Sequence, residues 1–365
     1  MNSTPINLLH WNCNGIRARS NEIQLVLDNI DIACIQETRL TESAHFRLQG
    51  YNVLRKEREN DSNGGGIMTL FNTDLTYEAF DTPTLPDFEL LGATVTSLES
   101  NLNVINIYRK PAHLSTDIKE ETWKILLDFA SALAGNTIIC GDFNAHDRAW
   151  SLNSNPKGEA LGSVLSESNF LSLNDRYYPT IINRINWSKG SPDIALADVD
   201  LALQSNWERS DSTYGSDHFP IKITIGNVNK INFTNRKKIN TNKLNWGVFS
   251  QEVEQGLNGI KCKNISPPEK YGKLIELIES TLLSRGGKKS ENLRRRKKKY
   301  PPWWDSVCDS VVELRIKCMK LYFSKCSEEN FNAFKAAEEN AKKVLQQKKK
   351  VLEANFAMKL THLKT

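Results

Sequence analysis

Short hydrophobic runs, each closed by polar residues, recur along the first two thirds of the chain. The runs at 6–11, 32–35, 51–54, 67–71, 90–95, 104–108 and 138–140 are rich in Ile, Val and Leu and too short for helices. They predict strands. Residues 193–196 read as a further strand, and 220–225 alternate apolar and polar positions, as a half-buried strand does. Helical spacing is confined to a few stretches. Ile23, Val26, Leu27 and Ile30 follow Ser20 as a candidate N-cap. Residues 116–133 place Trp123, Leu126, Leu127 and Ala130 on one face, and 158–168 suggest a short helix. Many strands, few crossover helices and polar loops at strand ends predict an α/β fold with two packed sheets flanked by helices. Gly64-Gly65-Gly66 precedes a strand and lacks the Lys and Ser/Thr of a phosphate-binding loop, so it reads as a mobile hairpin loop.

The pattern changes after Gly226. Residues 227–245 are rich in Asn and Lys and read as a linker. Trp246, Phe249, Val253 and Leu257 have helical spacing, and 268–283 suggest another helix. A basic run, Arg294-Arg295-Arg296-Lys297-Lys298-Lys299, is followed by Pro301-Pro302-Trp303-Trp304. Two lysine-rich helices are predicted at 305–324 and 328–360, as a helical hairpin or as partner-bound helices. This reading divides the chain into a body at 1–228, a linker with short helices and a basic run at 229–302, and a basic helical part at 303–365.

Charge sharpens this division. The whole chain has a formal net charge of +5. Residues 1–228 hold 18 Lys and Arg against 29 Asp and Glu, a net −11, and the remaining 30 basic and 14 acidic residues give +16. An acidic body with a basic tail implies that the tail meets a polyanion or folds back on the body. No apolar stretch is long enough for a membrane-spanning helix, and the N-terminus has no basic and apolar leader. The 7 cysteines are scattered, without zinc-ligand spacing, and read as free thiols of a reducing compartment.

Candidate chemistry collects at the ends of the apolar runs. Gly141-Asp142-Phe143-Asn144 closes a buried run with a carboxylate and an amide. Alone it reads as a strand-to-loop turn. Asn12, Asn14, Glu37, Tyr108, Asp193, Asp217 and His218 hold similar places. No Ser or Cys nucleophile stands beside a base. Acids and amides offer hard oxygen ligands, which suit Mg²⁺ or Mn²⁺ rather than zinc. Phosphodiester hydrolysis needs such parts: a carboxylate-held cation, a carboxylate for the water, and donors for the developing charge.

Trp11-Asn12-Cys13-Asn14-Gly15-Ile16, Gln36-Glu37-Thr38, Asn106-Ile107-Tyr108, Gly141-Asp142-Phe143-Asn144, Ser191-Pro192-Asp193 and Gly215-Ser216-Asp217-His218-Phe219-Pro220 occur in that order. In this the chain resembles the endonuclease/exonuclease/phosphatase superfamily over residues 5–226. It looks most like the apurinic-type endonuclease domain of non-LTR retrotransposons, with Ala145-His146 and Trp150 as further details. The resemblance implies a four-layer αββα sandwich of two mixed sheets and a divalent-metal-dependent endonuclease that nicks DNA and leaves a 3′-hydroxyl. It implies Glu37 as main metal ligand, with Asn14 and Asp217 beside it. Asn14 stands where cellular abasic-site endonucleases have an aspartate. Asp142 would align or deprotonate water, Asn12 and Asn144 would orient it or the phosphate, Tyr108 would contact the phosphate, and His218 would stabilise it, oriented by Asp193. Asp200 is a rival for the Asp193 role. Thr180 would touch the DNA.

Tyr300-Pro301-Pro302-Trp303-Trp304-Asp305 and the helices after it resemble the segment between endonuclease and reverse transcriptase in those elements, without the paired-aspartate polymerase signature. DNA is then the expected partner, with element RNA a partner for the basic tail through Arg294 to Lys299, and the expected location is intracellular and nuclear. A phosphodiesterase of the same superfamily on another substrate, or an inactive remnant that only binds nucleic acid, are the competing readings.

Overall fold

The computed structural model describes residues 5–56, 64–98, 100–111, 120–182, 189–226, 239–240, 245–259, 267–284, 288–289 and 300–362. The chain forms two compact units, one of residues 1–231 with 298–365 and one of residues 232–297.

In the first unit, β1 (Ile6–Asn12) leads through a 3₁₀ turn (Ile16–Arg19) and the single-turn helix α1 (Ile23–Val26) to β2 (Ile32–Gln36). β3 (Tyr51–Lys56), β4 (Ile67–Asn72), β5 (Tyr77–Phe80), β6 (Phe88–Val95) and β7 (Leu102–Arg109) follow. α2 (Glu120–Ser131) then crosses to β8 (Asn136–Asp142). Next come α3 (Pro156–Ser166), β9 (Phe170–Ser172), the short pair β10 (Ile181–Ile182) and β11 (Lys189–Gly190), β12 (Asp193–Asp198), α4 (Val199–Ala202), β13 (Ser205–Arg209) and β14 (Ile221–Ile225).

Two six-stranded mixed sheets result, in the orders β13-β14-β1-β2-β4-β3 and β5-β6-β7-β8-β12-β9. β1 and β2 are parallel in the first and β7 and β8 in the second, and the other pairings are antiparallel. One core of Leu8, Cys34, Val104, Ile138, Ala195 and Ile223 lies between the sheets. A second packs Trp123, Leu127 and Leu161 of the helices on β7, β8 and β12, and a third packs Ile23, Val26 and Leu27 on β1 and β2. The architecture is the αββα sandwich.

Several local expectations change. Ser20 closes the 3₁₀ turn and Glu22 stands at the α1 N-terminus. α1 ends after one turn because Asn29 takes φ +58, a left-handed conformation that stops a helix. α3 starts at Pro156, where Asn155 accepts from the Gly158 amide at 2.8 Å. Gly65 and Gly66 end the connection between the antiparallel strands β3 and β4 and are buried: their carbonyls accept from Arg39 N and Thr38 N at 3.0 Å, with φ +75 and +80. β5, β9 and β13 have no clear sequence signal, because short edge strands carry exposed polar residues.

α7 (Ser306–Ser324) and α8 (Glu328–His362) pack on each other and dock on the sandwich. Asp305 caps α7 by accepting from Val307 N and Cys308 N. Arg315 of α7 is buried and donates to Glu22 at 2.6 and 3.0 Å and to Ser212 Oγ at 3.2 Å. Met319, Tyr322, Phe331 and Phe334 form a core with Ile182 and Phe219. In the second unit, α5 (Trp246–Gly259) packs on α6 (Pro267–Ser284). Among the described residues no helix is long and apolar enough to cross a membrane, and the six described cysteines are free.

Candidate active site

Strand direction brings the site together. β1 and β2 are parallel with Asn12 opposite Gln36, so Asn12, Asn14 and Glu37 share one end of the first sheet. β14 runs antiparallel to β1, with His10 opposite Ile221, so the loop before β14 delivers Asp217 and His218 to that end. In the second sheet Tyr108 lies opposite Asp142 on parallel strands. β12 runs antiparallel to β8, so its first residue, Asp193, faces the last residue of β8, Asp142. Gly141 has φ +147, and a Cβ there would come within 1.9 Å of the Ile107 carbonyl oxygen, so only glycine lets the two strands approach beside Asp142. Gln36 Nε2 donates to Asn106 Oδ1 at 2.7 Å and joins the two sheets beneath the site.

A hydrogen-bonded network follows. Asn12 Nδ2 donates to Asp142 Oδ2 at 2.8 Å and to Glu37 Oε1 at 3.2 Å. Tyr108 Oη donates to the same Glu37 oxygen at 3.0 Å, and Arg39 pairs with Oε2 at 3.1 Å. Asn14 Nδ2 donates to Asp217 Oδ1 at 2.8 Å. Asp142 Oδ1 accepts from Asn144 N at 3.0 Å, and Asn144 Nδ2 donates to Arg109 O at 2.7 Å. His218 Nδ1 lies 2.8 and 3.0 Å from the two Asp193 oxygens. Asn14, Glu37 and Asn144 take φ of +49, +50 and +47, left-handed values that Glu adopts less readily than Asn. Gly15 N holds the Glu37 carbonyl at 2.8 Å.

All of Asp142, Asn144, His218, Asp193, Tyr108, Asn12, Glu37, Asn14 and Asp217 therefore lie on one rim. Asp200 does not: it is exposed in the first turn of α4, past the far end of β12 from Asp193. Thr180, expected at the DNA, is fully buried and donates to Asp193 Oδ2 at 2.6 Å, so its hydroxyl holds the carboxylate that bonds His218. Arg294, Arg295, Arg296, Lys297, Lys298 and Lys299 lie outside the described residues. Sequence reasoning missed Ser216, whose hydroxyl donates to Asn12 O at 2.8 Å and accepts from His218 N at 3.2 Å. It also missed Arg109, which donates to Asn144 O at 3.2 Å. Ser216 stands inside the Gly-Ser-Asp-His motif, the signal that could have found it.

Burial sets the charges. Desolvation pushes the Asp142 carboxyl up to about 7, against the pull of His218 and aided by Asp193. For His218 burial alone would lower the pKa, but the charge and hydrogen bond of Asp193, with Asp142 and Asp217, outweigh it and raise it to about 10. His10, directly under Asn12 on β1, is pushed down to about 4 by burial. The rim thus holds an imidazolium beside a carboxyl that titrates near neutrality.

Two groups could hold a metal ion. Donor atoms of the buried Asp142, Asp193 and His218 lie within 4.8 Å of one another. The half-buried Glu37 and Asp217 carboxylates and the Asn14 amide lie on the same rim and offer oxygen donors, which suit a hard cation.

The loop carrying Asp217 and His218 is braced from outside the sandwich. Arg209 sits over the Phe219 ring at 4.1 Å and over Phe323 of α7 at 5.1 Å, and the two rings pack edge to face at 5.6 Å. Trp11 Nε1 donates to His218 O at 3.1 Å.

Residues 102–222 match the family described as endonuclease-reverse transcriptase. A probable RNA-directed DNA polymerase from transposon BS of Drosophila melanogaster is 25% identical over 233 residues, 60% of this chain and 24% of that protein. The chain thus spans about a quarter of the length of this curated relative. The endonuclease domain of TRAS1, a telomere-specific non-LTR retrotransposon, superposes with a TM-score of 0.50 and 19% identity, over 62% of this chain and 100% of that domain. The catalytic domain of Xenopus laevis APE2 gives a TM-score of 0.48 and 19% identity, over 60% of this chain and 91% of that one. The family match thus lies within residues 102–222, and the two-sheet sandwich is the fold that the TRAS1 endonuclease domain also has.

Proposed function

We propose that the chain is a Mg²⁺-dependent endonuclease that nicks DNA. The observation that carries this is the Asn12 side chain, which bridges Asp142 and Glu37 and so ties a water-handling acid to a cation-binding one. Residues 1–228 form its catalytic body.

In this reading Asp142, ionised above about pH 7, aligns a water and accepts its proton. Asn144 N keeps the Asp142 carboxylate turned toward that water. The His218 imidazolium, held by Asp193, donates to a non-bridging phosphate oxygen as negative charge grows there. Asn12 and Tyr108 orient the Glu37 carboxylate, and Tyr108 lies within reach of the phosphate. Glu37, with Asn14 and Asp217, would hold Mg²⁺ or Mn²⁺, which supplies positive charge for the phosphate and the leaving oxygen. The Asp142–Asp193–His218 group is the weaker cation site, because a protonated His218 has no lone pair to offer. Attack of water on phosphorus passes the water's proton to Asp142 and breaks the bond to the 3′ oxygen, which takes a proton from solvent, so a 3′-hydroxyl and a 5′-phosphate remain. Such an end is a primer, which fits the transposon relative. A DNA substrate and the basic run at 294–299 support a nuclear site of action.

Supercoiled plasmid incubated with the protein and Mg²⁺ should become open circles, and chelation should stop this. Asp142→Asn should nick at least about a hundredfold more slowly. Equal nicking by both proteins would remove Asp142 from the reaction. Intact plasmid alongside release of a phosphorylated head group would favour another phosphodiester substrate, and no hydrolysis of either would favour a nucleic-acid-binding remnant.

A further inference from the structure

We infer that α8 carries a DNA-backbone track, Lys335, Lys342 and Lys349, which makes the acidic catalytic body competent to bind its substrate; this rests on the endonuclease reading. The three lysines are seven residues apart, so they lie along one side of the helix, roughly 10 Å between neighbours. That side faces the loops bearing the site. Lys349 Nζ lies 3.4 Å from Ser20 Oγ. Lys335 and Lys342 line a cleft of about 440 Å³ with Ala18, Arg19, Asn21 and Gly215. Arg19 in turn donates to Cys13 O at 2.9 Å and to Asn14 O at 3.4 Å, and Gly215 is two residues before Asp217. The row therefore borders the two segments that carry Asn14 and Asp217.

The charges in the cleft favour an anion. Glu22 is neutralised by Arg315, which leaves Glu338 beside Glu339 as the two acids that the cleft's other cations face. Arg19, Lys335 and Lys342 outnumber these two by one, and Lys349 extends the positive row beyond the cleft. Lys348, next to the row, is engaged elsewhere, because it pairs with Asp305 at the α7 N-terminus. The body at 1–228 is net −11 and repels a polyanion, so a cationic surface beside the rim is needed. Duplex DNA is favoured over RNA because the row borders the rim where the phosphodiester would be cut.

The test is binding of the full chain to a fluorescent duplex of about 30 base pairs, in chelator, across about 50 to 300 mM KCl. The variant combines Lys335→Gln, Lys342→Gln and Lys349→Gln. Loss of three phosphate contacts should flatten the slope of log K against log salt by about 2.7. Lys343→Gln with Lys350→Gln, exposed and off the row, should leave the slope unchanged, and the triple Lys→Arg variant should keep wild-type binding. An unchanged slope in a triple Lys→Gln variant with wild-type circular dichroism overturns the inference, as does a slope lost for single-stranded RNA and kept for the duplex. Because binding is read without cleavage, a protein that binds through the row but never nicks sinks the endonuclease reading and leaves the track standing.

Discussion

Asp142 and Asp193 stand directly opposite one another, the last residue of β8 against the first residue of the antiparallel strand β12. Two buried carboxylates so placed repel, and His218 relieves them: it hydrogen-bonds Asp193 and lowers the cost of ionising Asp142. The arrangement separates two roles, one acid that holds the His218 ring and one that titrates where it can take a proton.

Asp193→Asn should leave the fold intact and cut nicking by about 10²–10⁴-fold, because the imidazole loses the charge that keeps it protonated and the bond that aims it. Carbon-13 NMR of the His218 ring should show its pKa falling well below about 10. An unmoved His218 titration would show that Asp193 does not control it.

Nicking should follow a bell-shaped pH profile, rising as Asp142 ionises through about 7 and falling as His218 deprotonates near 10. Stability has its own signature. His218 is raised above its usual 6.5, so its contribution is complete below that value and is lost as pH rises through about 10. Asp142 is raised above 3.8, so its ionisation destabilises between about 4 and 7. Both groups make the metal-free protein less stable as pH climbs from about 4 to about 10, which thermal melts at stepped pH would measure.

Arg315→Ala should destabilise the unit by about 3–5 kcal/mol, since it leaves Glu22 without its buried partner. Urea unfolding measures this. Glu22→Gln combined with Arg315→Met should recover part of the loss. If Arg315→Ala costs under about 1 kcal/mol, the docking of α7 is not held by this pair.

Gly141→Ala should cost at least about 2 kcal/mol, from a strained φ and a collision with backbone that cannot turn aside. It should also reduce nicking, because the shift displaces Asp142. Gly162→Ala is the control, in the exposed-side packing of α3: its Cβ would meet Asp147 at 3.1 Å, the end of a side chain that can move. Chemical denaturation of the two variants should separate them clearly.

The run of strands, the αββα class and the rim residues were legible in the sequence. Strand periodicity is local, and the polar groups that meet at the rim stand where apolar runs stop. The helices α7 and α8 were legible too, within a residue or two, from the spacing of their apolar positions. Pairings over long separations were not. Nothing local says that Asn14 meets Asp217 across 203 residues, or that Arg315 reaches Glu22 across 293. Nor could residue type tell Thr180 at the DNA from Thr180 behind Asp193, or Asp193 from Asp200: both choices depend on the register of β12 against β8. Residue order alone says which groups end the strands. Which of them face each other is settled by the folded arrangement, because antiparallel register and buried hydrogen bonds join residues that the chain keeps far apart.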